Sequence, residues 1–176
     1  IIFTTTPEFV QASVQAAIAH PEIKILNCSL NTSHRYIRTY YARMYEAKFL
    51  MGAVAGAMAE NGQLAYIADY PIFGTIANIN AFALGAKMVN PRAQVYLEWS
   101  TLKDVDLGIA MDNVIKKGVT VVSGRDMVIP EDASRYFGLY HIEKGEPRNF
   151  AMPLWHWGKF YEKLIRTIMD GTWKYD

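Results

Sequence analysis

The 176 residues read as an α/β fold, a parallel sheet with helices on both faces. Three observations predict it. Short apolar strand candidates alternate with helical segments of ten or more residues, and this alternation persists along the chain. The valine run Val119 to Val122 is the kind of strand that parallel sheets bury on both faces. With 51% hydrophobic and 20% charged residues, the composition is that of a globular chain with a core, not of a disordered one.

Local chemistry then places each element. Ile1-Ile2-Phe3 is a strand candidate, and Thr4-Thr5-Thr6-Pro7-Glu8 marks a helix start: a threonine cap, proline in the first turn, and Glu8 three residues after Thr5. Phe9, Val14 and Ile18 line one apolar face until Pro21 stops that helix, and Ile23 to Asn27 is the next strand. From Arg38 to Ala59 a long helix is predicted, with small residues at Gly52 and Gly56 that let it lie close to a sheet, ending at Asn61-Gly62. Leu64 to Ala68 is a strand, Thr75 to Ala86 a helix stopped before Asn90-Pro91, and Ala93 to Trp99 a strand. Asp106 to Lys117 is a helix ended by Gly118, followed by the valine strand. Glu131 to Tyr136 reads as a short helix, Phe137 to Ile142 as a strand, Glu143 to Pro147 as an exposed turn and Phe150 to Met152 as a last extended piece. The closing helix, Trp155 to Asp170, gathers Trp157, Phe160, Tyr161, Leu164, Ile165 and Ile168 on one face before Gly171.

Several function classes fall away. Eighteen basic against seventeen acidic residues, without a cluster beyond Lys116-Lys117, leave no electrostatic footprint for nucleic acid. The longest apolar run, Phe49 to Ala59, is eleven residues, against about 20 for a membrane span. Cys28 is alone, so no internal disulfide forms, and no Cys or His pair has zinc-site spacing. The nucleophile-elbow, phosphate-loop, dinucleotide and zinc-protease motifs are absent, and no enzyme, cofactor or metal is expected. The chain opens at Ile1 inside an apparent strand, as a piece of a longer polypeptide would.

Parallel sheets bind ligands beyond the carboxyl ends of their strands, which directs attention to Thr4 to Thr6, Asp69-Tyr70, Trp99-Ser100, Arg125-Asp126, His141 and the pair Trp155 and Trp157. Aromatic faces with a few carboxylates and hydroxyls suit a small polar molecule with a flat ring. Each residue also has a structural reading. Asp69 is either a helix cap or a ligand contact, Trp99 packs under a helix or faces a ligand, His141 is structural or a proton shuttle, and Cys28 is better read as a buried thiol than as a nucleophile. Trp155 and Trp157 do not share one helical face, so one packs in the core while the other faces a cleft or solvent.

At Thr4-Thr5-Thr6-Pro7-Glu8-Phe9, Ile25-Leu26-Asn27-Cys28-Ser29 and Tyr45-Glu46-Ala47-Lys48-Phe49-Leu50-Met51-Gly52, the sequence resembles the basic membrane lipoprotein family. The likeness continues through Ile79 to Ala86, Val89-Asn90-Pro91, Trp155-His156-Trp157-Gly158 and Asp170-Gly171-Thr172-Trp173-Lys174. That family comprises substrate-binding proteins of ABC importers, including purine nucleoside receptors. The resemblance implies a periplasmic-binding-protein-like (type I) fold whose two α/β lobes close on a ligand. Residues 1–37 and 143–176 would be the remainder of the first lobe, its N-terminal part missing, and residues 38–142 the second. It also implies an ABC permease as partner, an extracytoplasmic, lipid-anchored parent protein, and ligand contacts at Thr5, Phe9, Asp69, Tyr70, Trp99, Ser100, Asp126, His141 and Trp155. Three departures bear on the ligand: Gln11 stands where relatives often carry an aspartate, His141 where the nucleoside receptors carry one suited to sugar hydroxyls, and the receptors' base-stacking aromatic appears as Leu102 or is lost. Each ribose donor left unpaired would cost about 1–3 kcal/mol, which favours a free purine base or another flat heterocycle. The alternative is a sensing or scaffold module of a larger regulatory protein. A piece lacking part of a lobe is also expected to expose apolar surface and pair with itself.

Overall fold

The computed structural model describes residues 1–29, 35–69, 73–100, 107–124 and 138–174. The chain forms two compact units, one made of Ile1–Ala42 with Trp155–Asp176 and the other of Arg43–Leu154.

In the first unit β1 (Ile2–Thr4), β2 (Ile25–Cys28) and β3 (Ile37–Tyr40) form a parallel sheet in that order, with Ile2, Ile25 and Ile37 in register. Because side chains alternate along a strand, Ile25 and Ile37 face α1 (Val10–Ala19) and bury against Ala17, Val10 and Val14. Phe3 and Tyr40 contact the rings of α5 (Trp157–Met169). The predicted threonine cap takes another form. Pro7–Phe9 is a single 3₁₀ turn ahead of α1, and Thr6 caps it without a side-chain hydrogen bond.

β3 also corrects the long helix expected from Arg38. Arg38, Thr39 and Tyr40 are strand, and helix begins only at Met44, in α2 (Met44–Met58). Ile37, Thr39 and Tyr40 are residue types that favour an extended chain, and pairing with β2 settles the choice.

The second unit holds β4 (Gln63–Ala68), α3 (Phe73–Val89), β5 (Gln94–Trp99), α4 (Leu107–Lys116), β6 (Val121–Ser123), β7 (Leu139–Glu143) and β8 (Glu146–Ala151). Its sheet runs β5-β4-β6-β7-β8, with β5, β4 and β6 parallel. The last two strands are an antiparallel hairpin, not further parallel strands. Lys144 and Gly145 take φ of 53° and 83°, a two-residue turn with both centres left-handed, which matches the twist of the strands it joins. β8 thereby belongs to this sheet, so the second unit extends to Leu154 where the sequence placed a boundary near residue 143. The short helix expected over 131–136 lies outside the described residues.

Leu64, Tyr66, Ala68, Val121 and Leu139 pack against Ala55, Phe82 and Ala86 of α2 and α3. Ala65, Ile67, Val122 and Tyr140 pack against Ala110, Met111 and Val114 of α4 on the other face. The glycines at 52, 56 and 85 let α2 and α3 meet backbone to backbone. A Cβ on Gly52 would strike the Phe82 carbonyl oxygen, one on Gly85 the Phe49 carbonyl oxygen, and one on Gly56 would lie 2.6 Å from that of Ala86.

Gly52→Ala is therefore expected to destabilise the protein by about 1–3 kcal/mol or more, since backbone has to move. Gly158→Ala, in the open first turn of α5, should be neutral or stabilise by about 0.5–1 kcal/mol. Thermal melts of the two variants check the contrast.

Candidate functional site

β4 and β5 end together, with Ala68 opposite Trp99, so the next residue of each strand projects from the same edge. Those residues are Asp69 and Ser100. The Ser100 amide donates to the Ala68 carbonyl at 2.8 Å, and its hydroxyl lies 3.2 Å from that oxygen and 3.0 Å from Asp69 Oδ1. Ser100 is buried and Asp69 half-buried, which fixes the carboxylate at the rim. Trp99 packs against the core beneath, the structural role open to it. Tyr70 and Asp126 lie outside the described residues, as does Leu102.

The same edge holds a cation that the sequence reading did not single out. Lys48, on the second turn of α2, is fully buried. Its Nζ donates to Ser123 Oγ at 3.0 Å, at the end of β6, and stands 4.9 Å from the centroid of the Tyr66 ring. The sequence did carry a signal for it: Lys48, Gly52, Ala55 and Ala59 recur at helical spacing on the buried stripe of α2, and a lysine there has no route to solvent.

His141 is not at this edge. In the antiparallel β7 it pairs with Val121, which pairs with Leu64, four residues and about 13 Å before the end of β4. It lines a pocket of about 350 Å³ at the opposite edge with Met58, Glu60, Asn61 and Thr120. Because β7 runs antiparallel to β6, a residue in it is carried away from the edge where the parallel strands end.

At the carboxyl edge of the first unit's sheet, the buried Asn27 donates through Nδ2 to Thr4 Oγ1 at 2.7 Å and to the Thr6 carbonyl at 2.9 Å. Thr4 Oγ1 is 3.1 Å from Ser13 Oγ of α1. Asn27 Oδ1 and Thr6 Oγ1 are buried without a hydrogen-bond partner, so this edge keeps unused polar capacity. Thr5 and Phe9 are exposed beside it, as is Gln11. Cys28 is half-buried, and burial pushes its thiol above the usual range, away from the thiolate a nucleophile needs.

Trp155 and Trp157 are not divided between core and cleft. α5 begins only at Trp157, so Trp155 lies on the extended approach, and the two indoles stack 5.2 Å apart at 10°. Tyr41 meets Trp155 edge-on, Trp157 meets Tyr40 edge-on, and Tyr40 stacks on Phe160. The Tyr40 hydroxyl donates to the Thr4 carbonyl at 3.2 Å and lies 3.0 Å from that of Tyr161. Burial, then the Tyr161 hydrogen bond, pushes the Tyr40 phenol far above the ordinary tyrosine range.

Among the described residues, no three His, Cys, Asp or Glu side chains converge as a metal site requires. The second unit's edge offers a carboxylate, a hydroxyl and an amine, and the first unit's edge offers hydroxyls and an amide, with an aromatic stack elsewhere in the first unit.

Residues 1–130 match the family model described as ABC transporter substrate-binding protein, PnrA-like. The chain is 26% identical over 186 residues to a putative ABC transporter glucose-binding protein of Haloferax volcanii, covering 100% of this chain and 48% of that protein. It is also 26% identical over 187 residues to a purine-binding protein of Brucella abortus, covering 99% of this chain and 53% of that one. It thus spans about half the length of the curated relatives it matches.

A phenol whose pKa is higher in the folded than in the unfolded state stabilises the fold below the unfolded value and loses that contribution as pH rises past it. Stability should therefore fall above about pH 10. Tyr40→Phe is expected to flatten this alkaline loss while costing about 1 kcal/mol at neutral pH from the lost hydrogen bonds. Denaturant melts at neutral and alkaline pH measure both.

Proposed function

Because this chain belongs to the Bmp family of PnrA-like ABC transporter substrate-binding proteins, we propose that it captures a purine compound, base or nucleoside, for import. The family is periplasmic-binding-protein-like in fold, and its members are binding proteins rather than enzymes. The observation that carries the ligand class is the likeness to the Brucella purine-binding protein across 99% of this chain. The chemistry of the edges supports the same reading. Within the first unit, Trp155 with Tyr41 offers the kind of aromatic face on which a flat heterocycle stacks, and within the second, a carboxylate held as Asp69 is by Ser100 is an acceptor suited to ring or exocyclic N–H donors.

In this reading the two units are the remainder of the first lobe and the second lobe of a longer parent protein, and Thr5, Phe9, Trp99 and Ser100 lie near the ligand. Tyr70 and Asp126, which the family resemblance implies as contacts, belong to the same proposal. His141, at the far edge of its sheet, does not contact the ligand. The parent is extracytoplasmic and lipid-anchored, and its ligand-loaded form is recognised by an ABC permease. No helix among the described residues is long and apolar enough to cross a membrane.

Mass spectrometry of small molecules released on denaturing the full-length parent protein, purified without added ligand, tests the ligand. A stoichiometric purine or nucleoside is expected. Recovery of glucose would transfer the assignment to the chemistry named for the Haloferax relative. An empty protein with no thermal shift from purines, nucleosides or glucose would favour the sensing or scaffold module. Asp69→Asn is expected to weaken purine binding about ten- to a hundredfold, the worth of one charge-assisted hydrogen bond, with the fold intact by circular dichroism.

A further inference from the structure

The first unit carries a pocket of about 490 Å³ that is lined by none of the residues proposed to contact the captured ligand. Two local devices build it. Arg38 is on β3, two residues before Tyr40 and so on the same face of the sheet, the one whose rings meet α5. At the far end of the chain α5 closes in a Schellman reversal: Gly171 takes φ of 68°, its amide donates to the Ile168 carbonyl at 3.2 Å, and the Thr172 amide donates to the Thr167 carbonyl at 2.9 Å. The reversal turns the tail back to β3. There the Arg38 guanidinium lies 4.9 Å from the centroid of the Trp173 ring and donates to the Lys174 carbonyl at 2.9 Å. Lys163, on α5, lines the same pocket.

We propose that this pocket binds a phosphate group, carried by a small soluble ester or by a lipid headgroup. Arg38, Lys163 and Lys174 all line it, and no carboxylate among the described residues does. On other surfaces Arg43, Arg148 and Arg166 are each held by a glutamate, at 3.2, 3.0 and 2.8 Å. The three pocket cations have no such partner among the described residues, and Arg38 is half-buried, where an unanswered charge is costly. The end of α5 does not answer it either, because the amides of Asp170, Gly171 and Thr172 already take up the carbonyls of Arg166, Ile168 and Thr167. The hydroxyls of Thr167 and Thr172 donate to backbone carbonyls at 2.7 and 3.2 Å, so the donors left to the pocket are guanidinium and ammonium N–H groups. Arg38 spends one of its five on Lys174. A planar fork flanked by two ammonium charges matches the nearly doubly charged, three-oxygen face of a phosphate better than a single carboxylate. The pocket is larger than a bare phosphate needs, and the Trp173 ring offers an apolar surface for the rest of the ester. The inference does not depend on which ligand the protein captures.

The full-length parent protein, made without a lipid anchor and purified in phosphate-free buffer, tests it. It is titrated calorimetrically with glycerol 3-phosphate and floated with vesicles of phosphatidylglycerol or, as the neutral comparison, phosphatidylcholine. The variants are Arg38→Gln and the double change Lys163→Gln with Lys174→Gln. Lys159→Gln, on α5 outside the pocket, is the control. Both pocket lysines are exposed, so the double variant keeps its fold even where loss of Arg38 loosens the tail. Wild type and control are expected to bind, and each pocket variant to bind about tenfold more weakly or worse. Binding should also weaken as salt rises from about 0.05 to 0.3 M. Binding of the soluble ester supports the proposal and assigns that source, whereas binding to phosphatidylglycerol vesicles alone supports it and assigns the headgroup. Binding of neither probe overturns it. So does binding that the double variant leaves unchanged, or that the Lys159 change weakens equally. Purine binding is expected to be the same in every variant, so failure here leaves the ligand assignment to its own test.

Discussion

The structure of the larger unit rests on the contact between α2 and α3, where glycine replaces side-chain packing with backbone packing. Phe82 and Ala86 on one helix meet Gly52 and Gly56 on the other, and Gly85 receives the Phe49 carbonyl in return. With no Cβ between them the helices form a thin layer on the sheet, and Ala55, Ala59 and Phe82 reach Leu64, Tyr66 and Val121. The same closeness sets the rotation of α2. Once Gly52 and Gly56 must face α3, Lys48 one turn earlier points into the interior near the end of β6, and Leu50 and Val54 point outward. A buried cation and an exposed aliphatic strip are thus two results of one steric condition.

A second constraint is strand direction. In each parallel sheet the strands end at a common edge, which gathers small polar groups from distant parts of the sequence. Asp69 meets Ser100 across 31 residues, and Asn27 meets Thr4 across 23. The hairpin of β7 and β8 breaks the rule. Its turn at Lys144-Gly145 reverses the chain within two residues, and pairing against β6 carries His141 to the other edge. Whatever His141 does, it does so beside Glu60 and Thr120 rather than beside Asp69.

The aromatic group of the first unit shows how packing and chemistry share residues. Tyr40 contacts Phe3, Trp157, Phe160 and Tyr161, while its hydroxyl reaches the Thr4 carbonyl at the carboxyl edge. Such rings anchor α5, which has no fully buried residue of its own, and hold Trp155 in an ordered stack. The stack can serve as a platform because the helix it precedes is fixed by the same rings.

By itself the sequence determined the α/β class, the approximate position of nearly every described helix and strand, and the family. These follow from periodicity, from proline and glycine punctuation, and from motifs that are local along the chain. The position of Asp69 and Ser100 at one sheet edge was likewise legible, because a residue that follows a parallel strand has its edge assigned by chain direction alone. The tertiary structure decided what depends on partners remote in sequence. Pairing with β2 made Arg38 to Tyr40 a strand where local propensity allowed a helix, and pairing with β6 made β7 antiparallel. The stacking of Trp155 on Trp157 arose because α5 starts two residues later than its apolar pattern, and the fold alone chose the partner of Lys48 on its buried stripe, Ser123, 75 residues away. Long-range pairing energies of this kind leave no periodic trace in a single sequence.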